Sequence, residues 1–246
     1  MISTLMGIIQ REWRGYFANP MGVLFVVIFV GLTNALAFFV GGFFEREIAD
    51  LEPFFQFHPW VFLLLIPAMG MRLWAEEYRT GTAELILTLP VSTAAWVVGK
   101  FLAAWLLVGL ALVLCFPMWI SVNVLGDPDN GVIATGFLAS WLLSGGFLAV
   151  SACVSASTEN QISAFIGGGA ICLSLLLLGL PGVLQVFSGL LSPEWLDRVA
   201  QLGILKHYSE MARGVMDLGD LIYFFILIGT GLVGNWLLVE LRKVPR

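Results

Sequence analysis

The sequence predicts an all-α, polytopic membrane protein with six transmembrane helices, and three observations carry that prediction. Of the 246 residues, 59% are hydrophobic and only 12% are charged, about half the roughly 25% charged share of a soluble domain. Mean hydropathy is +0.93, more apolar side chain than a water-soluble fold of one or two domains could cover. Runs such as Gly22–Phe44 and Val61–Trp74 carry no charge in their centres, and a helix needs only about 20 such residues to cross a bilayer.

Residues 1–20 differ in kind from the rest of the chain. Ile8, Ile9, Trp13, Tyr16 and Phe17 share one helical face, and Gln10, Arg11, Glu12 and Arg14 take the other. This is the pattern of a helix lying in the membrane interface, and Asn19-Pro20 ends it. Six apolar segments succeed it, at about 21–43, 59–75, 94–125, 132–155, 161–187 and 220–240. Ala35-Leu36-Ala37 in the first resembles a signal cleavage site, but the apolar run continues through Phe43-Phe44. That is longer than the roughly 7–15-residue core of a signal, so it is read as a retained span. The second span is short and opens at His58-Pro59-Trp60, an interfacial start. The third is overlong and is expected to tilt, or to break near Pro117. Residues 188–219 alternate Leu196, Val199, Leu202 and Leu205 with Asp197, Arg198 and Gln201. They predict an external helical hairpin dipping into the outer leaflet, opened by Pro193 and broken at His207-Tyr208 or Gly214. The loops are too short for a soluble domain, so residues 1–246 read as one transmembrane domain.

Orientation follows from basic residues. With six spans and both termini cytoplasmic, Arg11, Arg14, Arg72, Arg79, Lys100, Arg242, Lys243 and Arg246 lie inside, and Arg46, Arg198, Lys206 and Arg213 outside, a ratio of 8 to 4. Trp60, Trp74, Trp96, Trp119 and Trp236 fall near the span ends, where amphipathic rings settle.

Composition also excludes chemistry. The net charge is −5 and there is no basic cluster, which argues against nucleic acid as a partner. Cys115, Cys153 and Cys172 lie inside apolar runs and lack zinc-ligand spacing, so they read as packing residues. His58 and His207 map to the outer face without motif partners. Gly99-Lys100 is followed by Phe101 and lacks the glycine loop of a phosphate-binding motif. The span interiors hold Asn34, Ser140, Ser144, Ser174 and Gln185, but no charge at mid-depth. Asn34 either bonds a neighbouring helix or lines a path. Gly145, Ala149 and Cys153, and the Gly167-Gly168-Gly169 run, read as close helix packing. Gly31 and Asn34, with Gly167 to Gly169, are the expected seam between two copies. Any uphill transport must draw its energy from another chain.

One loop is more specific. Residues 76–92 read as a small helix with defined ends: Thr82 as cap, Glu84 in the first turn and Pro90 as stop. Leu85, Ile86 and Leu89 form an apolar knob facing the cytoplasm, a docking surface or a connector lying on lipid.

The run Glu76-Glu77-Tyr78-Arg79-Thr80-Gly81-Thr82-Ala83-Glu84-Leu85-Ile86-Leu87-Thr88-Leu89-Pro90 resembles the coupling helix of ABC type-two exporter permeases. Glu77, Gly81, Thr82, Glu84, Ile86-Leu87 and Pro90 match in register, with Ile86 where leucine is commoner. Arg11-Glu12-Trp13-Arg14-Gly15-Tyr16-Phe17-Ala18-Asn19-Pro20 is similar to the N-terminal helix of the gliding-motility-associated branch. Arg213-Gly214-Val215-Met216-Asp217-Leu218 is similar to a late external segment of that branch. Glu159 departs from the basic residue common in relatives and leaves the fourth loop without Lys or Arg. The resemblance implies a six-span subunit in a bacterial inner membrane that dimerises and recruits two ATPase subunits. ATP and Mg would bind those partners, and this chain would hold no cofactor and do no catalysis. A channel or scaffold working without an ATPase is the chief alternative; a secondary carrier is disfavoured by the missing midplane charges.

Both termini should face the cytoplasm. In a cysteine-free background, single cysteines at Asp129 and Glu194 should label from outside only. Labelling at Thr82 from outside overturns the arrangement.

Overall fold

The computed structural model describes residues 2–178, 180–187 and 192–243. Among these residues the regular structure is entirely helical. Five stretches are long and apolar enough to cross a membrane: Pro20–Val40, Glu52–Thr80, Thr93–Leu125, Asn130–Ser157 and Leu218–Lys243. The chain is an all-α, multi-pass membrane protein. The expected fifth span, 161–187, is not one helix. It comprises an apolar helix of 17 residues, Gln161–Leu177, and a short helix, Pro181–Phe187.

Helix α1 (Ile2–Ala18) stops at Asn19, whose backbone is extended ahead of Pro20, the opening residue of α2 (Pro20–Ala35). Proline's steric demand on the preceding residue forces this break. A π-helical turn, Leu36–Val40, extends α2 at its C-terminal end. A short α3 (Glu52–Phe55) then leads into α4 (His58–Gly70). Span three breaks at Cys115 between α7 (Thr93–Leu114) and α8 (Phe116–Leu125), with Pro117 in the first turn of α8. The expected break therefore lies where proline's missing N–H costs least.

Helix α9 (Asn130–Ser157) is the centre of the bundle and packs against α4, α7, α10 (Gln161–Leu177), α13 (Ile204–Ala212) and α14 (Leu218–Lys243). Inside lipid there is no hydrophobic drive between helices, so small residues must let backbones approach. Gly145, Ala149 and Cys153 do this against α14: a Cβ added to Gly231 would lie 2.8 Å from Ala149, and one added to Gly234 2.9 Å from the Cys153 sulfur.

The segment expected to be external is a helical pair, α12 (Pro193–Leu202) and α13, hinged at Gly203 and not at His207-Tyr208; α13 ends at Ala212, just before Gly214, whose φ is +88°. Helix α11 (Pro181–Phe187) precedes it; residues 188–191 of the expected hairpin, like Arg246, lie outside the described residues. Helix α13 is the inserted member: Ile204, Tyr208 and Met211 are buried, while Trp195 and Leu202 of α12 are exposed.

Neither histidine is solitary. His58 is buried in the bundle at the start of α4. Phe29, Phe54, Phe55 and Phe62 surround its ring, and Nδ1 lies 2.7 Å from Ser140 Oγ. Tyr208 extends the polar chain by donating to the Phe55 carbonyl at 2.7 Å. His207 lies 2.6 Å from Asp220 and stacks on Tyr223, fastening α13 to α14.

The C-terminal end of span two is interrupted. Between α4 and α5 (Ala75–Thr80) the chain turns through 71–74. Ser155 of α9 seals the turn: its hydroxyl donates to the Met71 carbonyl at 2.8 Å and accepts from the backbone N–H groups of Trp74 and Ala75 at 3.1 and 3.0 Å. One donor and two lone pairs are thus all engaged.

Ser155→Ala strands two buried N–H groups and a carbonyl, and should lower stability by about 1–3 kcal/mol. Thermal unfolding of the detergent-solubilised protein reads this, with the exposed Ser163→Ala as control. An unchanged midpoint would show that Ser155 does not hold the joint.

Candidate coupling site

Helices α5 and α6 (Thr82–Thr88) meet at Gly81, whose φ of +73° lies in the left-handed region. A side chain there would be strained, which accounts for glycine at this point of the run. Thr82 does not cap α6 as expected. Its hydroxyl lies 2.9 Å from that of Thr80, which donates to the Glu76 carbonyl at 2.9 Å. Glu84 sits in the first turn of α6, and the chain becomes extended at Leu89, just before Pro90.

The apolar knob is smaller than the sequence suggests. Leu85 is 70% exposed and Leu89 48%, but Ile86 is only 7% exposed and points inward with Ala83. Ile86 roots the helix; Leu85 and Leu89 project. Arg79, Gly81, Thr82, Glu84 and Pro90 are exposed around them.

Beneath this surface lies a charge cluster that the coupling motif does not describe. Lys100 enters from α7 with its side chain 3% exposed, 2.6 Å from Glu77 and 3.4 Å from Glu12 of α1. Arg11 pairs with Glu12 and stands 4.0 Å from Glu77. Burial alone would raise the Glu12 carboxyl, but Lys100 and Arg11 outweigh it and hold the group below the ordinary glutamate value. Arg72 grips Glu76 through two bonds of 2.5 and 2.9 Å. Glu76 and Glu77, read from the sequence as part of a docking segment, instead tie α5 to its own bundle.

The N-terminal helix is correspondingly rotated. Glu12 turns inward with Ile8, while Phe17 and Arg14 are exposed, so the two faces are not those expected. Ile8 packs where a Cβ on Gly99 would lie 2.6 Å away. Trp13 is half-buried, and Arg11 lies over the Trp96 ring at 4.6 Å. From the far end of the chain, Arg242 donates to the Ser157 carbonyl at 2.7 Å, lies 3.7 Å from Glu159 and covers the Tyr78 ring at 4.3 Å. The loop without a basic residue thus borrows one from α14. Helix α1, helices α5–α6 and the end of α14 all gather at one end of the bundle.

The expected seam residues separate. Gly31 is exposed, with open space where a Cβ would stand. The Asn34 amide donates to the Val30 carbonyl of its own helix at 2.7 Å. A Cβ on Gly168 would lie 3.3 Å from Ser151, and one on Gly167 3.0 Å from Val154, so both pack on α9 within the chain. Sequence reasoning missed Lys100, Arg242 and Ser155. The signal for Lys100 was a lone cation inside an apolar helix, which is costly in a membrane without partners.

Residues 53–239 match the family described as ABC-2 family transporter protein, and the chain belongs to it: a membrane permease subunit of an ABC transporter. Members of this family normally pair with ABC ATPase subunits. No curated protein matches the chain.

Lys100→Met leaves two neighbouring carboxylates without their ammonium and should cost about 3–5 kcal/mol at neutral pH. In the native protein the lowered Glu12 value contributes stability above about pH 4.5 that is lost as pH falls through it, while burial, only partly offset by Lys100, holds Glu77 above the ordinary glutamate value and works in the opposite sense. In the variant the carboxylates resist ionisation, so stability is instead lost as pH rises. Thermal midpoints of the two proteins should therefore converge toward acid pH. Adding Glu77→Gln should restore part of the loss; no rescue would refute the pairing.

Proposed function

We propose that this permease subunit works in an ATP-driven exporter, with α5–α6 as the helix that receives motion from a separate ATPase subunit. The observation that carries this reading is the projecting Leu85–Leu89 pair on a base fixed by Lys100, Glu77 and Arg72. A knob that passes on force needs an exposed apolar tip for a partner's groove and a root that does not slip. Burying an exposed leucine contributes about 1.5–3 kcal/mol to docking. The chain offers contact, not chemistry: ATP and Mg belong to the partner.

In this reading two ATPase subunits serve two permease copies in a bacterial inner membrane. The end that carries α1, α5–α6 and the tail of α14 is cytoplasmic. Helix α10 supplies the sixth crossing despite its length. The exposed face of α2, with Val23, Val27 and Gly31, is the seam between copies, and Gly167 and Gly168 are not part of it. The gathering of Arg72, Arg79, Lys100 and Arg242 at that end favours this orientation.

Leu85→Asp puts a carboxylate into an apolar groove, and should abolish copurification of the ATPase while the permease still inserts and dimerises. Glu84→Ala should leave assembly intact but lower ATP turnover. Ala94→Ser, exposed on α7, is the control. Intact assembly and intact ATPase stimulation with Leu85→Asp would favour a channel or scaffold.

A further inference from the structure

A cleft of about 410 Å³ opens between α1, α2, α4, α5 and α7. Its lining changes character along the bundle axis. At the end that carries α1 and α5, Glu12, Arg72, Glu76 and Glu77 line it; toward the middle of the spans, Leu24, Phe25, Ile28, Leu65 and Leu107 take over. Leu24 and Ile28 are themselves exposed, so the apolar half opens sideways toward lipid. A polar head and an apolar chain, pointing the same way as a lipid of the adjoining leaflet, match this gradient.

The charges select the head. Lys100 is consumed by two carboxylates and is nearly inaccessible. The Lys100 ammonium is therefore not available to a head, and the three carboxylates that line the cleft disfavour a head of net negative charge. Arg72 and Glu76 are both about 30% exposed. Their pairing uses two of the five guanidinium N–H groups, leaving three to donate to a phosphate. The Glu76 carboxylate beside them retains lone pairs for an N–H donor. A phosphate and a primary ammonium side by side meet both; a quaternary ammonium has no N–H to donate.

We propose that the cleft binds one phospholipid of the adjoining leaflet with a phosphoethanolamine head, its phosphate on Arg72 and its ammonium on Glu76. The lipid wedges α1 against α4, filling the gap beside the Lys100 cluster. Occupancy requires only that the chain sits in a bilayer, so Leu85→Asp leaves it unchanged whatever that variant does to an ATPase.

The test is native mass spectrometry of the full-length permease. The protein is delipidated and supplied in turn with phosphatidylethanolamine, phosphatidylcholine and phosphatidylglycerol of the same acyl chains. One ethanolamine lipid per chain should be retained, with the choline and glycerol lipids held at least about tenfold more weakly, the scale of one charge-assisted hydrogen bond. Gly15 lines the cleft and has open space at its Cβ position, so Gly15→Phe should fill the cavity and abolish retention without unfolding the protein. Glu76→Gln should remove the preference among heads, and Arg72→Gln should weaken retention of all three lipids. Equal retention of all three lipids, or retention that survives Gly15→Phe, would mark surface lipid and overturn the proposal. So would a Gly15→Phe protein that loses its dimer but keeps its lipid, because a second copy would then occupy the cleft.

Discussion

One buried ammonium organises the end of the bundle where α1, α5 and α7 meet. Lys100 rises from α7 inside an otherwise apolar surface and meets a carboxylate from α1 and another from α5. An isolated charge in that position would be prohibitive, so the three segments cannot part without exposing an unpaired ion. The amphipathic N-terminal helix is thereby docked on the bundle rather than merely resting on lipid. The same contact sets the orientation of α5, from which α6 projects. Arg72 with Glu76, and Arg242 with Tyr78, add further anchors around the same short helix.

The class of fold was legible because hydrophobic runs and charge depletion leave few alternatives in lipid. Breaks at Asn19-Pro20 and before Pro117 were legible for the same local reason, the geometry of proline. What the sequence concealed was pairing across distance. Glu12 looked like a surface residue because it is charged, although helical spacing sets it between Ile8 and Ile9, and nothing local announces a lysine 88 positions away. His58 and His207 looked solitary because their partners, Ser140 and Asp220, lie on other helices. The small-residue stripe of α9 was visible, but not that α14 would answer it.

At the coupling segment the pattern revealed the helix and its limits but not its rotation. Sequence spacing grouped Leu85, Ile86 and Leu89 on one face. Tertiary packing turned Ile86 inward and left two leucines outside. Gly81 is the residue whose identity follows most directly from conformation, since the corner between α5 and α6 requires a positive φ. Glu77, one of the matching residues of the run, serves the interior of the permease instead of its surface.

The sealed turn at 71–74 has a mechanical meaning. Six residues of α5 lie on one side of it and thirteen of α4 on the other, lever arms of about 9 and 20 Å at 1.5 Å per residue. If α5 receives motion from a partner as proposed, Ser155 is the fulcrum, and a push on the short arm reaches the far end of α4 roughly doubled while the three hydrogen bonds keep the joint stiff. Because the serine belongs to α9, the fulcrum is mounted on the central helix of the bundle. Stiffness of one hydroxyl would then set the gain of the proposed coupling.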